Sequence, residues 1–170
     1  MLIRRRGEEL GLPEVVEIPD DKRQDPTFFR TKGTPGFEVG RDGCRVPLPW
    51  TKEGTNFGFG SGKPAHLPQP EWMGQYSVEA LDKSEQSTLN LYRKALNLRR
   101  KLQGPEELEW VSSSNDNNEL LHFKRPGGWE VLMNFGEKAV EVPKGELLVS
   151  SEEIKDGKVP QDVTVWVKSA

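Results

Sequence analysis

Three charged side chains crowd one short stretch, GRDGCRVPLPW at residues 40–50: Arg41, Asp42 and Arg45. A guanidinium carries five N–H donors in a planar fork. It can lock a carboxylate by a bidentate pair or hydrogen-bond several hydroxyls of a ligand. Asp42-Gly43 reads as a turn, Asp supplying a side-chain acceptor and Gly a positive φ. Pro47 and Pro49 force an extended run into Trp50. A loop restrained in this way can hold a guanidinium in one place. The residue types leave two uses open, a structural salt bridge and a ligand contact.

Other reactive residue types are sparse. Glu8 and Glu9 are adjacent in GEELGLPE. Acid–base work on a glycosidic bond needs two carboxylates held about 5–10 Å apart across it, which neighbours in one segment do not supply alone. Their simpler reading is a helix start with acidic residues near its positive end. His66 and His122 have no Cys or carboxylate at metal-ligand spacing, and His122 reads as a surface strand residue. No metal or cofactor is expected. Cys44 has no base at a fixed offset and reads as a buried structural thiol. Gly58, Gly60 and Gly62 alternate in FGFGSG, but a phosphate cradle needs a strand before and a helix after, and neither is foreseen.

Three zones must position these groups. Residues 1–80 are rich in Pro and Gly and lack periodicity, yet carry Phe28, Phe29, Phe37, Trp50, Phe57, Phe59 and Trp72. So long an irregular stretch is foreign to a self-contained domain. So many aromatics are foreign to a solvated tail. Such residues suit a chain shaped to lie against another surface, and without it partial disorder or rearrangement is expected. One helix is expected over 82–103. Asp82 and Glu85 resemble a capping box, and two apolar rows (Leu89, Tyr92, Leu96; Leu91, Ala95, Leu98, Leu102) give a broad face to bury. Arg99, Arg100 and Lys101 suit its C-terminal end, and Gly104-Pro105 stops it. Short strands follow: Leu108 to Val111, a hairpin of Glu119–Arg125 and Trp129–Phe135 across Pro126-Gly127-Gly128, then Ala139–Val142, Glu146–Ser150 and the alternating Val163, Val165, Val167. About six strands of this kind make a small antiparallel sheet or sandwich.

Bulk properties bound the rest. The 170 residues suffice for one ordinary domain or a small one with an extension. Hydrophobic residues are 34%, below the globular norm, so much of the chain should be loop. A net charge of −3 gives no global positive field to attract nucleic acid or an anionic membrane. One cysteine excludes an internal disulfide and suits a reducing compartment. MLIRRR has the basic start of a leader without its apolar core, and no run is long enough to span a membrane. A cytoplasmic protein is the plain expectation.

The stretches GEELGLPEVVEIPDDKRQDPTFFR, GRDGCRVPLPW, FGFGSGKPAHLPQPEW and LNLYRKALNLRR, in this order, resemble the final part of bacterial α-glucosidases and oligo-1,6-glucosidases. These belong to the α-amylase superfamily, glycoside hydrolase family thirteen. The resemblance runs from Gly7 to the end, and its Arg-Asp-Gly-x-Arg-x-Pro-x-x-Trp block is the most specific part. It implies an α+β chain: the end segment of an eight-stranded β/α barrel over 1–104, then a C-terminal antiparallel β domain over 105–170. It implies retaining hydrolysis of α-glucosidic bonds in oligosaccharides by the intact enzyme. The family's Asp nucleophile, Glu acid/base and second Asp lie upstream of the GEELG segment, so none is expected here and Glu8 and Glu9 do not replace them. Arg41 matches the family's arginine at the floor of the glucose pocket. Asp42 and Arg45 match the same motif, which implies that both fix the loop and that Asp42 stands with Arg41 as a substrate-binding position of an incomplete site. The chain alone is then expected to be inactive. Alternatives are a non-catalytic carbohydrate-binding module, for which Trp129 and Trp166 could form a platform, and one piece of a split α-glucosidase. Self-association or pairing with a missing barrel segment would cover its apolar faces.

Overall fold

Helices in this chain start where a Ser or Asp side chain can take up the free amides of the first turn. In the computed structural model, which describes residues 7–60, 62–102, 104–111 and 119–169, Asp25 caps helix α1 (Pro26–Thr31). Its carboxylate accepts from Thr27 N–H at 2.9 Å, and Pro26 sits where the missing N–H costs nothing. Ser77 caps α2 (Val78–Asp82), its Oγ accepting from Ala80 N–H at 3.2 Å. Ser87 does the same for α3 (Thr88–Leu102) through Asn90 N–H. The chain forms two compact units, one ending at Asn90 and the next beginning at Leu91.

Helix α3 supplies most of the single helix expected over 82–103 but starts six residues later, and α2 ends where that helix was expected to begin. Asp82 is the last residue of α2, so the Asp82–Glu85 pattern does not start a helix. The break is held by Asn90, whose side-chain amide donates to the carbonyls of Leu81, Asp82 and Ser84. The carbonyls of Leu81 and Ser84 also accept main-chain N–H groups of the turn, so Asn90 reinforces a connection that the backbone already closes. The expected end at 103 lies outside the described residues. The broad apolar face is also less covered than expected. Leu89 is buried, Leu91, Ala95, Leu96, Leu98 and Leu102 are half-buried, and Tyr92 is exposed.

In the first unit, Val15, Ile18, Val46, Leu67 and Met73 gather into a small core with Leu12, Phe57 and Trp72 against it. Short 3-10 turns connect these residues. Where partial disorder was expected, described residues 7–60 and 62–80 follow a defined course; the MLIRRR start lies outside the described residues.

The second unit is an antiparallel β structure. Strands β1 (Glu109–Trp110), β2 (Leu120–Arg125), β3 (Trp129–Asn134), β5 (Gly145–Ser150) and β7 (Val163–Ser169) make one sheet in the order β1-β2-β3-β7-β5. Strands β4 (Val140–Glu141) and β6 (Lys158–Val159) pair separately. The β2–β3 hairpin closes on Pro126-Gly127-Gly128 as expected, with Arg125 opposite Trp129. Strand β6 falls in a polar stretch with no alternation to reveal it. Leu132, Val163, Val165 and Val167 point to one face and pack with Val159 of β6, and Val140 of β4 lies against them. Trp129 lies on the opposite face of β3 and tilts against Trp166 at 5.1 Å, its indole N–H donating to Leu102 C=O. The α+β class expected from sequence therefore holds. No helix among the described residues is long and apolar enough to cross a membrane.

Asn134 ties the sheet to the smaller ladder. Its buried amide donates to the carbonyls of Lys138 and Val159 and accepts from Gly136 N–H. Asn134→Ala strands these three partners and should cost about 3 kcal/mol in urea unfolding of the whole chain. The exposed Asn97→Ala should stay within about 0.5 kcal/mol.

Candidate functional site

The GRDGCRVPLPW loop is tied to residues 24–27 by two carboxylates that each reach across to the other's backbone. Asp42, only 1% exposed, accepts from the N–H groups of Gln24 and Asp25 at 2.9 and 3.0 Å through Oδ2. Asp25, 4% exposed, accepts in return from Arg41 N–H at 2.9 Å and from the Arg45 guanidinium at 3.2 Å. Its other oxygen holds Thr27 N–H and so caps α1. The second oxygen of Asp42 is buried and meets no donor among the described residues.

Glycine makes the close approach possible at two points. Gly40 has φ 79°, and a Cβ there would lie 2.9 Å from the Asp25 side chain. At Gly43 a Cβ would lie 2.5 Å from the carbonyl oxygen of Val15. Gly43 was expected to supply a positive φ. Instead it sits inside a 3-10 turn, Asp42–Cys44, and its role is steric.

The loop's charged side chains thus divide. Arg45 is a structural partner of Asp25. Arg41 is held only through its main chain, and its exposed guanidinium has no hydrogen bond or ion pair among the described residues. A positioned backbone with a free five-donor fork is what a ligand-binding arginine requires. Trp50 follows on the same loop with its ring half in solvent.

The remaining candidates fall away from this site. Glu9 accepts from Gly7 N–H at 3.0 Å and so closes the 3-10 turn Glu8–Leu10, the structural role considered for the pair. Cys44, expected to be buried, is exposed, because the turn directs it outward with its thiol donating to Arg41 C=O. His66 is exposed and its carbonyl accepts from Gln24. His122, expected at the surface, is half-buried; its Nε2 lies 2.7 Å from Glu130, an acceptor its strand pattern could not reveal. The described residues contain no cluster of His, Cys, Asp and Glu able to hold a metal ion. Asp25 is the residue holding this loop that the sequence reading missed. The Asp-Pro pair at 25–26 signals a helix cap, but nothing in it signals that the same carboxylate holds Arg41.

The backbone N–H of Thr27, then that of Arg41, hold the Asp25 carboxyl well below its ordinary 3.8, at about 2. The Arg45 guanidinium helps, and burial opposes them. The folded-state value is thus lower than the unfolded one. The resulting stabilisation is complete above about pH 4 and is lost as pH falls toward 2. Asp25→Asn should lower the thermal midpoint at pH 7 and flatten its decline between pH 4 and pH 2. A mutant midpoint that falls as steeply as that of the unmodified chain would show that Asp25 does not carry this linkage.

Comparison with known proteins places this geometry. Residues 3–105 match the family model described as the α-amylase catalytic domain. An α-glucosyl transfer enzyme, XgtA, is similar over 95% of this chain at 27% identity and a TM-score of 0.64. An isomaltulose synthase from Erwinia rhapontici NX5, solved with D-glucose, is similar at 18% identity and 0.71. A trehalose-6-phosphate hydrolase from Bacillus licheniformis is similar at 19% and 0.68. At such identities the last two speak for the fold alone. The chain spans 31%, 34% and 35% of these enzymes' respective lengths. Among curated proteins none matches.

Proposed function

We propose, for a chain that belongs to the α-amylase family by the match of residues 3–105 to its catalytic domain, that it is the C-terminal part of a retaining α-glucosidase acting on oligosaccharides. Residues 1–104 are the end of the catalytic barrel and 105–170 its C-terminal β domain. One observation carries the assignment of the site: Arg41 is fixed through its N–H by Asp25 while its guanidinium stays free. In a sugar pocket that fork donates to glucose hydroxyls and pairs with a carboxylate supplied from elsewhere in the domain. Asp42 and Asp25 hold the loop and do no chemistry themselves.

Retaining hydrolysis needs a nucleophile and an acid/base carboxylate about 5–5.5 Å apart, both open to substrate. Asp25 and Asp42 are buried and accept main-chain N–H groups, and Glu9 closes its own turn. None of them is placed to attack a sugar. These residues therefore supply binding and orientation, and the isolated chain does not turn over.

A second reading, an accessory carbohydrate-binding module, draws on an open groove of about 340 Å³ in the β unit, lined by Phe123, Met133, Trp166, Arg99 and Arg125. Trp129 also lines this groove, but it is buried against Trp166 and offers little open face to a sugar ring.

Hydrolysis of 4-nitrophenyl α-glucoside separates these readings. The pure chain should give no turnover. In a polypeptide joining it to an upstream α-amylase-type domain, activity should appear, and Arg41→Ala should lower kcat/KM by about a hundredfold, the loss of one charged pair and its hydrogen bonds. Turnover by the chain alone, or an Arg41→Ala enzyme with full kcat/KM, would refute the assignment. Glucoside binding without turnover in either form would favour the accessory module.

A further inference from the structure

One apolar patch in the first unit has a single centre. The Arg23 guanidinium lies 4.7 Å above the Phe28 ring and donates to the carbonyls of Val39 and Val16. Phe29 and Phe37 meet the same Phe28 ring edge-on, at 5.4 and 5.7 Å. Phe28 itself is buried, but the four residues around it are not: Val16 is 70% exposed, Phe29 57%, Phe37 47% and Val39 45%. Arg23 Nε, at the centre, is buried and has no hydrogen-bond partner among the described residues; the nearest carboxylate oxygen, on Asp20, is 4.0 Å away.

Two exposed phenylalanines and two exposed valines around one ring are more apolar surface than scattered residues need. The rim narrows the class of partner. Asp20 pairs with Lys32 and Asp21 with Lys22, and the exposed Glu17, Arg30 and Glu38 beside the patch are of mixed sign. A polyanion or an anionic membrane would want one uncompensated sign. A protein surface with its own apolar residues fits better.

From these features we infer that Val16, Phe29, Phe37 and Val39 dock onto the remaining part of an α-amylase-type catalytic domain. This rests on the reading of the chain as the end of such a domain. The choice of occupant follows from the family match, which falls on the patch, and from relatives of which this chain spans about a third. The remainder of such a domain would bring apolar surface of its own to this patch. The aromatics have the edge-exposed geometry of a half-built core, with Phe28 supplying the inner layer.

The test co-expresses the full chain with the upstream two-thirds of the α-glucosyl transfer enzyme, ending where its similarity to this chain begins. A one-to-one complex should co-purify. Phe29→Asp with Phe37→Asp should weaken it by at least about tenfold, while Phe135→Asp, an exposed aromatic of the β unit, should not. Circular dichroism confirms that the doubly substituted chain is folded; Val16→Asp serves in its place if it is not. Absence of a complex, or one indifferent to the patch substitutions, overturns the inference. So does a concentration-dependent dimer of the chain alone that the same substitutions abolish, since the occupant is then a second copy. A complex that forms but does not hydrolyse 4-nitrophenyl α-glucoside leaves the docking surface standing and counts against the proposed function. A missing complex counts against the docking alone, because the single-polypeptide assay reads the function separately.

Discussion

The reciprocal hold of Asp25 and Asp42 is the interaction on which the first unit depends. Among the described residues from Gly7 to Ser87 the regular elements are helices of five and six residues and short 3-10 turns, so most main-chain donors have no ladder to enter. A buried N–H without an acceptor is costly. Two carboxylates answer four of these donors, Gln24, Asp25, Thr27 and Arg41, and the Arg45 guanidinium offsets part of the charge. With the two segments pinned, Val15 and Val46 take their places in the small apolar core, and Gly43 can pass within reach of Val15. The low proton affinity of Asp25 has the same cause: its N–H donors favour the carboxylate over the acid.

The β unit solves the same accounting problem by the ordinary route. Its strands pair in register, and one buried amide, Asn134, closes the gap where β3 ends and the smaller ladder begins. Its apolar residues fall on both faces. Valines at alternate positions of β7 face the small ladder, while Trp166 and Trp129 face the other way. A sheet apolar on both faces expects cover on both, which suits a domain that is part of something larger.

Function enters where the hold stops. Among the described residues the main chain of Arg41 is engaged in fixing the loop, while its guanidinium takes no part. Arg41 and the residues that hold it lie within the stretch, residues 3–105, that matches the α-amylase catalytic domain.

Local patterns were enough for much of this molecule. The β2–β3 hairpin, the alternating valines of β7, the basic end of α3 and the restrained loop at 40–50 follow from turn residues, period-two alternation and proline geometry, which act over a few positions. The kinship was legible because GRDGCRVPLPW keeps its residues in order. What acts over longer separations was not. The pairing of Asp25 with Arg41 and Arg45 spans 16 to 20 residues of irregular chain, and Asp-Pro reads equally well as a simple helix cap. The start of α3 is set by Ser87, with Asn90 donating to the carbonyls before it, and not by the Asp82–Glu85 pattern that local spacing suggested. Cys44 faces solvent and His122 finds Glu130 for the same reason: a side chain's surroundings are chosen by the whole fold. The sequence determined the family and the elements that local patterns mark, such as the β2–β3 hairpin and β7. Only the tertiary structure decided which charged groups are spent on holding the loop, because that depends on distances between segments that no local spacing encodes.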